Sequence, residues 1–387
     1  MVVNYEFLGD EPIENVITCL HYKIDKVVFF GYHEVIRDYK DSTESFLKKY
    51  CAVKRVVFQP LSHKNLSSVT TTMRDEIKRE INNGSEVYFD ITGGESLILV
   101  AFGRLSKEFE TPIHIFDIEE DRVIEVEDAG SRSICSDVPA KSVKFDLDRY
   151  VELKGGTINY RLQKSIKGRA GKSFDEDVSK IWEIARTNMD YWNPFSDFIR
   201  KVFVPGDKLQ VSKLMSTVTD ALSNNTGKLK TMSKLNKIID ELAEKGLLLD
   251  VERTENKYRF RYKNQSIKAC LWEGGSVLEL HTYQLERKDA DDCRVGVHLD
   301  WDGVVHEMLG EDVINEVDVL TLKGNIPTFI SCKSGKMTPQ QSLHALYELD
   351  AVTKRFGGKY AKKVLVTAND LGAIYLERAK EMGIEVR

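Results

Sequence analysis

Residues 86–96 read EVYFDITGGES, an apolar strand pattern that leads through a diglycine turn towards a helix. The segment 86–91 has residue types typical of strands, and Gly93 and Gly94 follow it directly. A strand that passes through a glycine turn into a helix is the repeating unit of a parallel sheet covered on both faces. This stretch therefore predicts an α/β fold for the N-terminal part of the chain.

The same alternation continues on both sides of this stretch. Apolar residues recur at helical spacing over 64–82. Further strands, rich in Val, Ile, Phe and Tyr, are predicted at 2–8, 26–30, 53–59 and 112–116. We predict a doubly wound, Rossmann-like domain over residues 1–145.

The middle of the chain predicts a second unit. Residues 146–206 are expected to form a mostly helical linker, and 207–264 a winged-helix-like domain. In the latter, an apolar helix stops at Lys245-Gly246 and two strand patterns follow it around a polar turn, which is how a winged helix ends.

The second of these strands alternates aromatic with basic residues. Tyr258, Phe260 and Tyr262 lie between Lys257, Arg259, Arg261 and Lys263. One buried and one exposed strand face explain the alternation, and contact with nucleic acid is the alternative.

The last segment, 265–387, predicts a small mixed α/β domain. It opens with a helix, and a second helix is expected at 339–356. Its strands are expected near 293–300, 316–322, 328–332, 363–367 and 385–387.

Bulk properties restrict the class of protein. A chain of 387 residues is too long for one ordinary core, and 42% hydrophobic with 30% charged residues is the composition of a soluble globular protein. Its apolar runs are too short to span a bilayer, and no secretion signal is recognisable. Six scattered cysteines without a Cys-x-x-Cys pair indicate reduced thiols, a cytoplasmic location and no zinc site. A net charge of −5 excludes a uniformly basic nucleic-acid binder but permits a local basic groove.

Residues suited to phosphodiester hydrolysis occur in the C-terminal segment. The reaction needs a divalent cation, which prefers carboxylate oxygens, and a positive group that offsets the charge of the transition state. Glu279 lies on a predicted helix, whereas Asp318 and Lys333 lie on the two strands of a predicted hairpin. Ser331 shares a strand face with Lys333, because side chains alternate with a period of two. We therefore expect Asp318 near Ser331 and Lys333.

Two features of this site stay open. Ser331 is a poorer metal ligand than a carboxylate, and Glu316, two residues before Asp318 on the same strand face, could supply the missing one. The alternative is that these are solvated strand positions. Lys336 and the glutamines at 340–341 could contact substrate phosphates or be a solvated helix start.

Three loops follow strands of the predicted N-terminal sheet, where ligands bind in open α/β folds. Glycines there allow backbone N–H groups to approach a ligand, although tight packing explains them equally well. The chain has neither the Gly-x-x-x-x-Gly-Lys-[Ser/Thr] loop of ATPases nor Gly-x-Gly-x-x-Gly after its first strand. The candidate ligand-binding residues are Gly9, Asp10, Glu11, Pro12, Gly31, Tyr32, His33, Thr92, Gly93, Gly94 and Ser96.

The C-terminal order Glu279, Asp318 and Ser331-Cys332-Lys333 resembles the PD-(D/E)xK restriction-endonuclease fold. The resemblance implies that Glu279 and Asp318 are metal ligands and that Lys333 is the catalytic lysine. It also implies that the backbone carbonyl of Cys332 can supply a metal oxygen. The chain departs from the family pattern at Ser331, where relatives carry an acid.

The N-terminal domain, with Thr92-Gly93-Gly94 after its fourth strand, resembles a CARF domain, the CRISPR-associated Rossmann fold. The order CARF, winged helix and nuclease resembles the CRISPR ancillary nucleases of type III systems. This resemblance implies a homodimer that binds one cyclic tetra-adenylate and cleaves single-stranded RNA or DNA with Mg²⁺ or Mn²⁺; duplex DNA stays open. Relatives often continue with Thr-Lys where this chain has Glu95-Ser96, so we expect Glu95 to turn aside or to face a ribose hydroxyl.

Two other functions stay open at this point. A transcription regulator controlled by a cyclic oligoadenylate would use the winged helix and carry an inert nuclease fold, as Ser331 suggests. An unregulated repair or restriction nuclease would use the Rossmann-like domain only for dimerisation. In the favoured hypothesis, the ligand shifts the dimer towards a closed state in which both nuclease domains approach one substrate strand. His33 is a candidate for cleaving the ring, although a single loop histidine is more commonly uninvolved.

Overall fold

The structure is a computed structural model of the chain. It describes residues 1–62, 65–126, 145–162, 171–206, 209–225, 227–305 and 314–387.

The N-terminal sheet has the strand order β3-β2-β1-β4-β5-β6. Its first five strands are parallel, and β6 is antiparallel to β5 at the edge. The predicted Rossmann-like sheet is therefore confirmed, with one added edge strand whose short, largely exposed sequence gave no signal. Its strands are β1 (Val2–Phe7), β2 (Lys26–Tyr32), β3 (Arg55–Leu61), β4 (Glu86–Asp90), β5 (Ile113–Asp117) and β6 (Arg122–Val126). Its helices are α1 (Ile17–His21), α2 (His33–Tyr50), α3 (Leu66–Asn82) and α4 (Ser96–Phe109).

The middle segment begins with helices and ends in a three-stranded sheet. The elements are α5 (Leu147–Leu153), β7 (Thr157–Ile158), α6 (Lys172–Thr187), α7 (Met189–Val202), β8 (Gln210–Leu214), α8 (Met215–Ser223), α9 (Met232–Glu244), β9 (Leu248–Arg253) and β10 (Lys257–Tyr262). The strand order β8-β10-β9, with two helices between β8 and β9, is a winged-helix arrangement. The segment predicted as a helical linker also contributes β7, which is too short to leave a sequence pattern.

Two helices precede the C-terminal sheet. The elements are α10 (Gln265–Trp272), α11 (Ser276–Glu286), β11 (Asp292–Asp300), β12 (Ile314–Lys323), β13 (Ile326–Lys333), α12 (Pro339–Phe356), β14 (Lys362–Thr367), α13 (Ala373–Glu381) and β15 (Ile384–Val386). The sheet has the order β15-β14-β13-β12-β11-β7, so the predicted hairpin of β12 and β13 lies at its centre.

The N-terminal and C-terminal sheets are joined by a shared apolar core. One cluster of buried residues contains Leu8 and Ile13 of the first part together with Leu346 and Phe356 of the last. A second cluster joins the winged helix, α6 and α7 to the other face of the C-terminal sheet. Within the described ranges, no helix has the length and apolar character needed to cross a bilayer.

Candidate functional site

Three carboxylates converge beside the central hairpin of the C-terminal sheet. Glu279 lies in the first turn of α11, and Glu316 and Asp318 lie on β12. Each side chain offers one carboxylate oxygen, and the three oxygens all lie within 4.8 Å of one another. Oxygen donors from separate elements are what Mg²⁺ or Mn²⁺ prefers, so this donor set fits either ion. The structure thus brings Glu316 to the two carboxylates that the sequence placed at the site.

Local sequence explains why these side chains face the same space. On β12, Val317 and Val319 are buried, whereas Glu316 is exposed and Asp318 half-buried on the opposite strand face. On α11, the apolar neighbours of Glu279 enter the core and leave its carboxylate half-buried. A carboxylate in the first turn of a helix is also stabilised by the helix dipole.

Polar groups at the end of β13 hold the Asp318 carboxylate in place. Pairing between β12 and β13 stops at Val319 and Ile330, so the backbone beyond Ile330 is released from this ladder. The Cys332 N–H donates to the Asp318 carboxylate at 2.6 Å, and the Ser331 hydroxyl contacts the same oxygen at 3.3 Å. Ser331 therefore orients a carboxylate where a family acid would supply one.

Lys333 lines a small acidic cavity. This cavity of about 180 Å³ is also bordered by Glu316, Asp318, Ser331 and Glu348. Sequence analysis missed Glu348, because its position in the middle of α12 gives no signal until that helix packs across the hairpin. Lysine beside carboxylates is the arrangement that phosphodiester hydrolysis requires.

A second cavity adjoins Lys333 on its other side. It has a volume of about 380 Å³, and Lys336, Gln341 and His344 contribute to its wall. The Gln341 side chain accepts a hydrogen bond from the Thr338 N–H at 2.9 Å and completes a capping box for α12. Gln341 thus has a structural role at the helix start, and Lys336 remains exposed for a phosphate.

The Cys332 thiol contacts helix α11. It is buried against Thr282, with the sulfur 3.6 Å from that hydroxyl oxygen. Burial, followed by the charge of Asp318, raises the pKa of the Cys332 thiol well above its ordinary value. The thiol is therefore held protonated, and a metal contact from this residue would have to come from the backbone carbonyl named in the sequence analysis.

The loops after β1, β2 and β4 meet above the N-terminal sheet. The Asn15 amide closes the first loop, because it accepts from the Gly9 N–H at 2.9 Å and donates to the Gly9 carbonyl at 3.0 Å. A Cβ on Gly31 would lie 3.3 Å from Leu8, and one on Gly93 would lie 2.8 Å from a Glu14 carboxylate oxygen. The glycines therefore allow close packing of these loops on one another.

Accessibility divides the candidate ligand residues into three groups. Asp10, His33, Gly94 and Ser96 are exposed, and Gly94 has a φ of 134°, a conformation that favours glycine. Thr92 and Gly93 are half-buried. The third group is buried within the chain and includes Gly9, Pro12, Gly31 and Tyr32.

Two of the candidates have side chains committed elsewhere. Glu11 forms an ion pair with Lys154 and accepts a hydrogen bond from the Lys359 N–H at 2.9 Å, so its carboxylate faces the nuclease domain. These contacts hold the Glu11 side chain within the chain, and its assignment to the ligand site stays a prediction. Thr92 accepts a hydrogen bond from the Phe116 N–H at 2.8 Å, which ties the turn to the end of β5.

Glu95 turns towards Tyr32. Burial raises the pKa of Tyr32, and the charge and hydrogen bond of the neighbouring Glu95 raise it further. The Tyr32 ring also packs edge-on against Phe7, with ring centroids 5.8 Å apart. The Glu95 carboxylate thus lies beside Tyr32, and its orientation towards or away from a bound ribose hydroxyl stays a prediction.

The ribbon of the winged helix is not an aromatic stacking surface. Tyr258, Phe260 and Tyr262 are fully buried. On the opposite face, Arg259 and Arg261 form ion pairs with Glu252 at 3.2 Å and Asp250 at 2.9 Å. The alternation therefore reflects a buried and an exposed strand face.

Comparison with known proteins places this geometry in context. Residues 268–387 match the family described as the Card1-like endonuclease domain. No curated protein sequence matches the chain. The segment that holds all three carboxylates, Lys333 and both cavities lies within the residues that match this family.

Two solved structures share the fold over the whole chain. Protein VC1899 from Vibrio cholerae is 16% identical, with a TM-score of 0.73, and the match covers 100% of this chain and 93% of that one. Can2 from Sulfobacillus thermosulfidooxidans, solved in complex with cyclic tetra-adenylate, is 16% identical, with a TM-score of 0.66 and the same coverage. The predicted α/β architecture and the resemblance to CRISPR ancillary nucleases are confirmed.

Proposed function

We propose that this chain is a nuclease that requires a divalent metal ion and is activated by cyclic tetra-adenylate. We further propose that it acts as a homodimer in the cytoplasm, in type III CRISPR antiviral defence, on single-stranded RNA or DNA. The observation that carries the proposal is the convergence of Glu279, Glu316 and Asp318 beside Lys333 in a segment that matches an endonuclease family.

The chemistry follows from the side chains at the site. Glu279, Glu316 and Asp318 would hold Mg²⁺ or Mn²⁺, which when bound supplies Lewis acidity and neutralises charge at the scissile phosphate. The Lys333 ammonium orients the attacking water and stabilises the negative charge that develops in the transition state. Ser331 and the Cys332 N–H keep Asp318 in place while the substrate binds.

The ligand part of the proposal rests on the loops above the N-terminal sheet. The exposed turn at Gly94, Glu95 and Ser96 presents backbone N–H groups at the start of α4, where an anionic ring can bind. His33, at the start of α2, borders the same edge of the sheet. Can2 was solved with cyclic tetra-adenylate, and we extend that ligand to this chain.

The first experiment measures cleavage of labelled single-stranded RNA, single-stranded DNA and duplex DNA with Mn²⁺, with and without cyclic tetra-adenylate. We expect cleavage only with the ligand, and a loss of ~100-fold or more in Lys333→Ala. Lys323→Ala, at the opposite end of the same hairpin, is the matched control and should retain the activity.

Other outcomes identify the alternatives. Tight ligand binding and specific duplex binding, without cleavage of any substrate, would favour the transcription regulator. Cleavage by a protein that binds no cyclic nucleotide would favour an unregulated nuclease.

A further inference from the structure

A buried polar contact joins the ligand loops to the nuclease domain within one chain. Glu11 and Glu14, in the loop after β1, are each only 6% exposed. Their partners include Lys359 and Tyr360, which lie in the turn between α12 and β14. The Lys359 N–H donates to Glu11 at 2.9 Å, and the Tyr360 hydroxyl donates to Glu14 at 2.6 Å. Lys359 Nζ forms an ion pair with the same Glu14 oxygen that receives the Tyr360 hydrogen bond.

The turn on the nuclease side is shaped to receive these carboxylates. Gly358 has a φ of 69°, and the space that a side chain would need there is filled by Glu11 and Lys154. Lys154 follows α5 and forms an ion pair with Glu11, so three parts of the chain meet at one point. Burial lowers the pKa of Lys154, while the charge of Glu11 opposes that shift.

Glu14 also supports the diglycine turn. One of its carboxylate oxygens lies 2.8 Å from the position that a Cβ on Gly93 would occupy. The other oxygen receives the hydrogen bond from Tyr360. One oxygen of the Glu14 carboxylate therefore faces the candidate ligand turn, and the other faces the nuclease domain. A shift of the turn or of the nuclease domain must then displace Glu14.

Packed structure continues from this contact to the carboxylate cluster. Phe356, at the end of α12, belongs to the apolar cluster that also contains Leu8 and Ile13 of the first domain. The same helix carries Glu348, which lines the acidic cavity with Glu316. Close-packed interiors transmit strain, and α12 therefore offers a route of packed side chains from the turn that holds Tyr360 to that cavity.

The polar nature of the contact argues for a role beyond stability. A buried ion pair is rarely more stabilising than apolar side chains of the same volume, but it fixes one geometry. Here that geometry sets Glu14 against both domains, beside the apolar cluster that they share.

We infer that Glu14 is a positioning residue that couples ligand occupancy of the Gly93 turn to the nuclease domain of the same chain, through Tyr360 and Lys359. This inference rests on the proposed function, because it assigns the regulation of that site. A ligand activates only through its different affinities for two states, so loss of the contact must reduce the ratio of rates with and without ligand.

The test uses Tyr360→Phe, which removes one hydrogen bond and keeps the ring. We expect this variant to bind cyclic tetra-adenylate in calorimetry but to show a stimulation ratio that is ~5-fold or more below that of the unmodified protein. Tyr50→Phe is the matched control, because it removes a comparable tyrosine–glutamate hydrogen bond, to Glu152, away from this turn. Should Tyr360→Phe melt well below the unmodified protein, Glu14→Gln replaces it; this variant removes the charge that pairs with Lys359, and we expect the same fall in the stimulation ratio.

A second readout separates this inference from the proposed function. Amide hydrogen exchange over 357–361 is measured in the unmodified protein with and without cyclic tetra-adenylate. Exchange over 91–96 is compared between Tyr360→Phe and the unmodified protein, both without ligand. Where the unmodified protein cleaves, an unchanged stimulation ratio in Tyr360→Phe and Glu14→Gln overturns the coupling and leaves the nuclease standing. If the unmodified protein does not cleave, amide hydrogen exchange decides the outcome. Changes in exchange at both segments support the coupling in a protein without nuclease activity. Unchanged exchange overturns both the coupling and the proposed nuclease function.

Discussion

Glu316 stands where the proposed metal site needs its third carboxylate. Strand alternation places it on the face of Asp318, and the packing of α11 against the hairpin brings Glu279 to both. Ser331 lies on β13, and its hydroxyl contacts the Asp318 carboxylate. At the scale of single residues, we propose that Glu316 on β12 supplies the carboxylate that Ser331 on β13 does not.

Glu316→Gln tests this assignment, because the amide keeps the shape of the side chain and removes its charge. We expect cleavage in Mn²⁺ to fall by about 100-fold or more, equivalent to about 2.7 kcal/mol of transition-state stabilisation. We also expect Mn²⁺ to raise the melting temperature less than in the unmodified protein. Glu377→Gln, on the exposed face of α13, is the control. Full activity of Glu316→Gln would remove Glu316 from the site.

Glu6 gives a prediction on pH. This carboxyl is 3% exposed within the N-terminal sheet, and burial, followed by the charge of Asp90, raises its pKa well above the ordinary value. A raised pKa in the folded state means that stability is fully present below the unfolded pKa and is lost as pH rises through the folded one. We expect the melting temperature to fall more between pH 5 and pH 9 in the unmodified protein than in Glu6→Gln.

The amide in Glu6→Gln can still accept the hydrogen bond from Asn4. The exposed Glu34→Gln is the control and should follow the unmodified curve. If the melting temperature fell equally with pH in all three proteins, Glu6 would not be the group that makes stability depend on pH.

At the scale of elements, β10 shows how one strand serves two environments. Its aromatic residues fill the core of the winged helix, while Arg259 and Arg261 pair with acids on β9. The strand is thus held by burial on one face, and the exposed ion pairs on the other contribute little, because solvent screens them.

Phe260→Ala should therefore destabilise the middle domain by about 3–5 kcal/mol, through lost burial and the cavity left behind. Arg259→Ala should change stability by no more than about 0.5 kcal/mol. Urea unfolding followed by fluorescence of Trp192 and Trp272, which pack in the same cluster, measures both. If the two substitutions lowered the free energy of unfolding equally, the ion pairs on the exposed face would contribute more to stability than solvent screening allows.

At the scale of the whole molecule, the first and last domains are held by a shared apolar cluster with an ionic contact inside it. Within that contact, the side chains of Glu11 and Lys154 are each 7% exposed. Removal of one partner leaves a charge without compensation in a nonpolar environment, whereas removal of both does not.

Lys154→Met is expected to destabilise the protein by about 3–5 kcal/mol. The double variant Glu11→Gln, Lys154→Met should recover most of that loss, because no uncompensated charge remains. Thermal unfolding of Lys154→Met, Glu11→Gln and the double variant gives the coupling free energy between the two side chains. Additive losses in the double variant would mean that the pair makes no net contribution.

Much of the fold follows from local sequence. Strand–helix alternation determined the Rossmann-like domain, and the hairpin pattern placed Asp318, Ser331 and Lys333 together, because a period of two fixes the face of every strand residue. The same periodicity identified Glu316 as a candidate. Short edge elements such as β6 and β7 escaped prediction, because too few residues carry their pattern.

Only the tertiary structure decided which side chains from distant segments meet. The approach of Glu279 and Glu348 to the hairpin depends on how α11 and α12 pack on the sheet. Likewise, Glu11 follows a strand like a ligand-binding residue, yet it contacts Lys154 and the Lys359 N–H. Periodicity along the chain fixes only the face on which a residue lies, whereas the partner across that face is selected by the packing of the whole molecule.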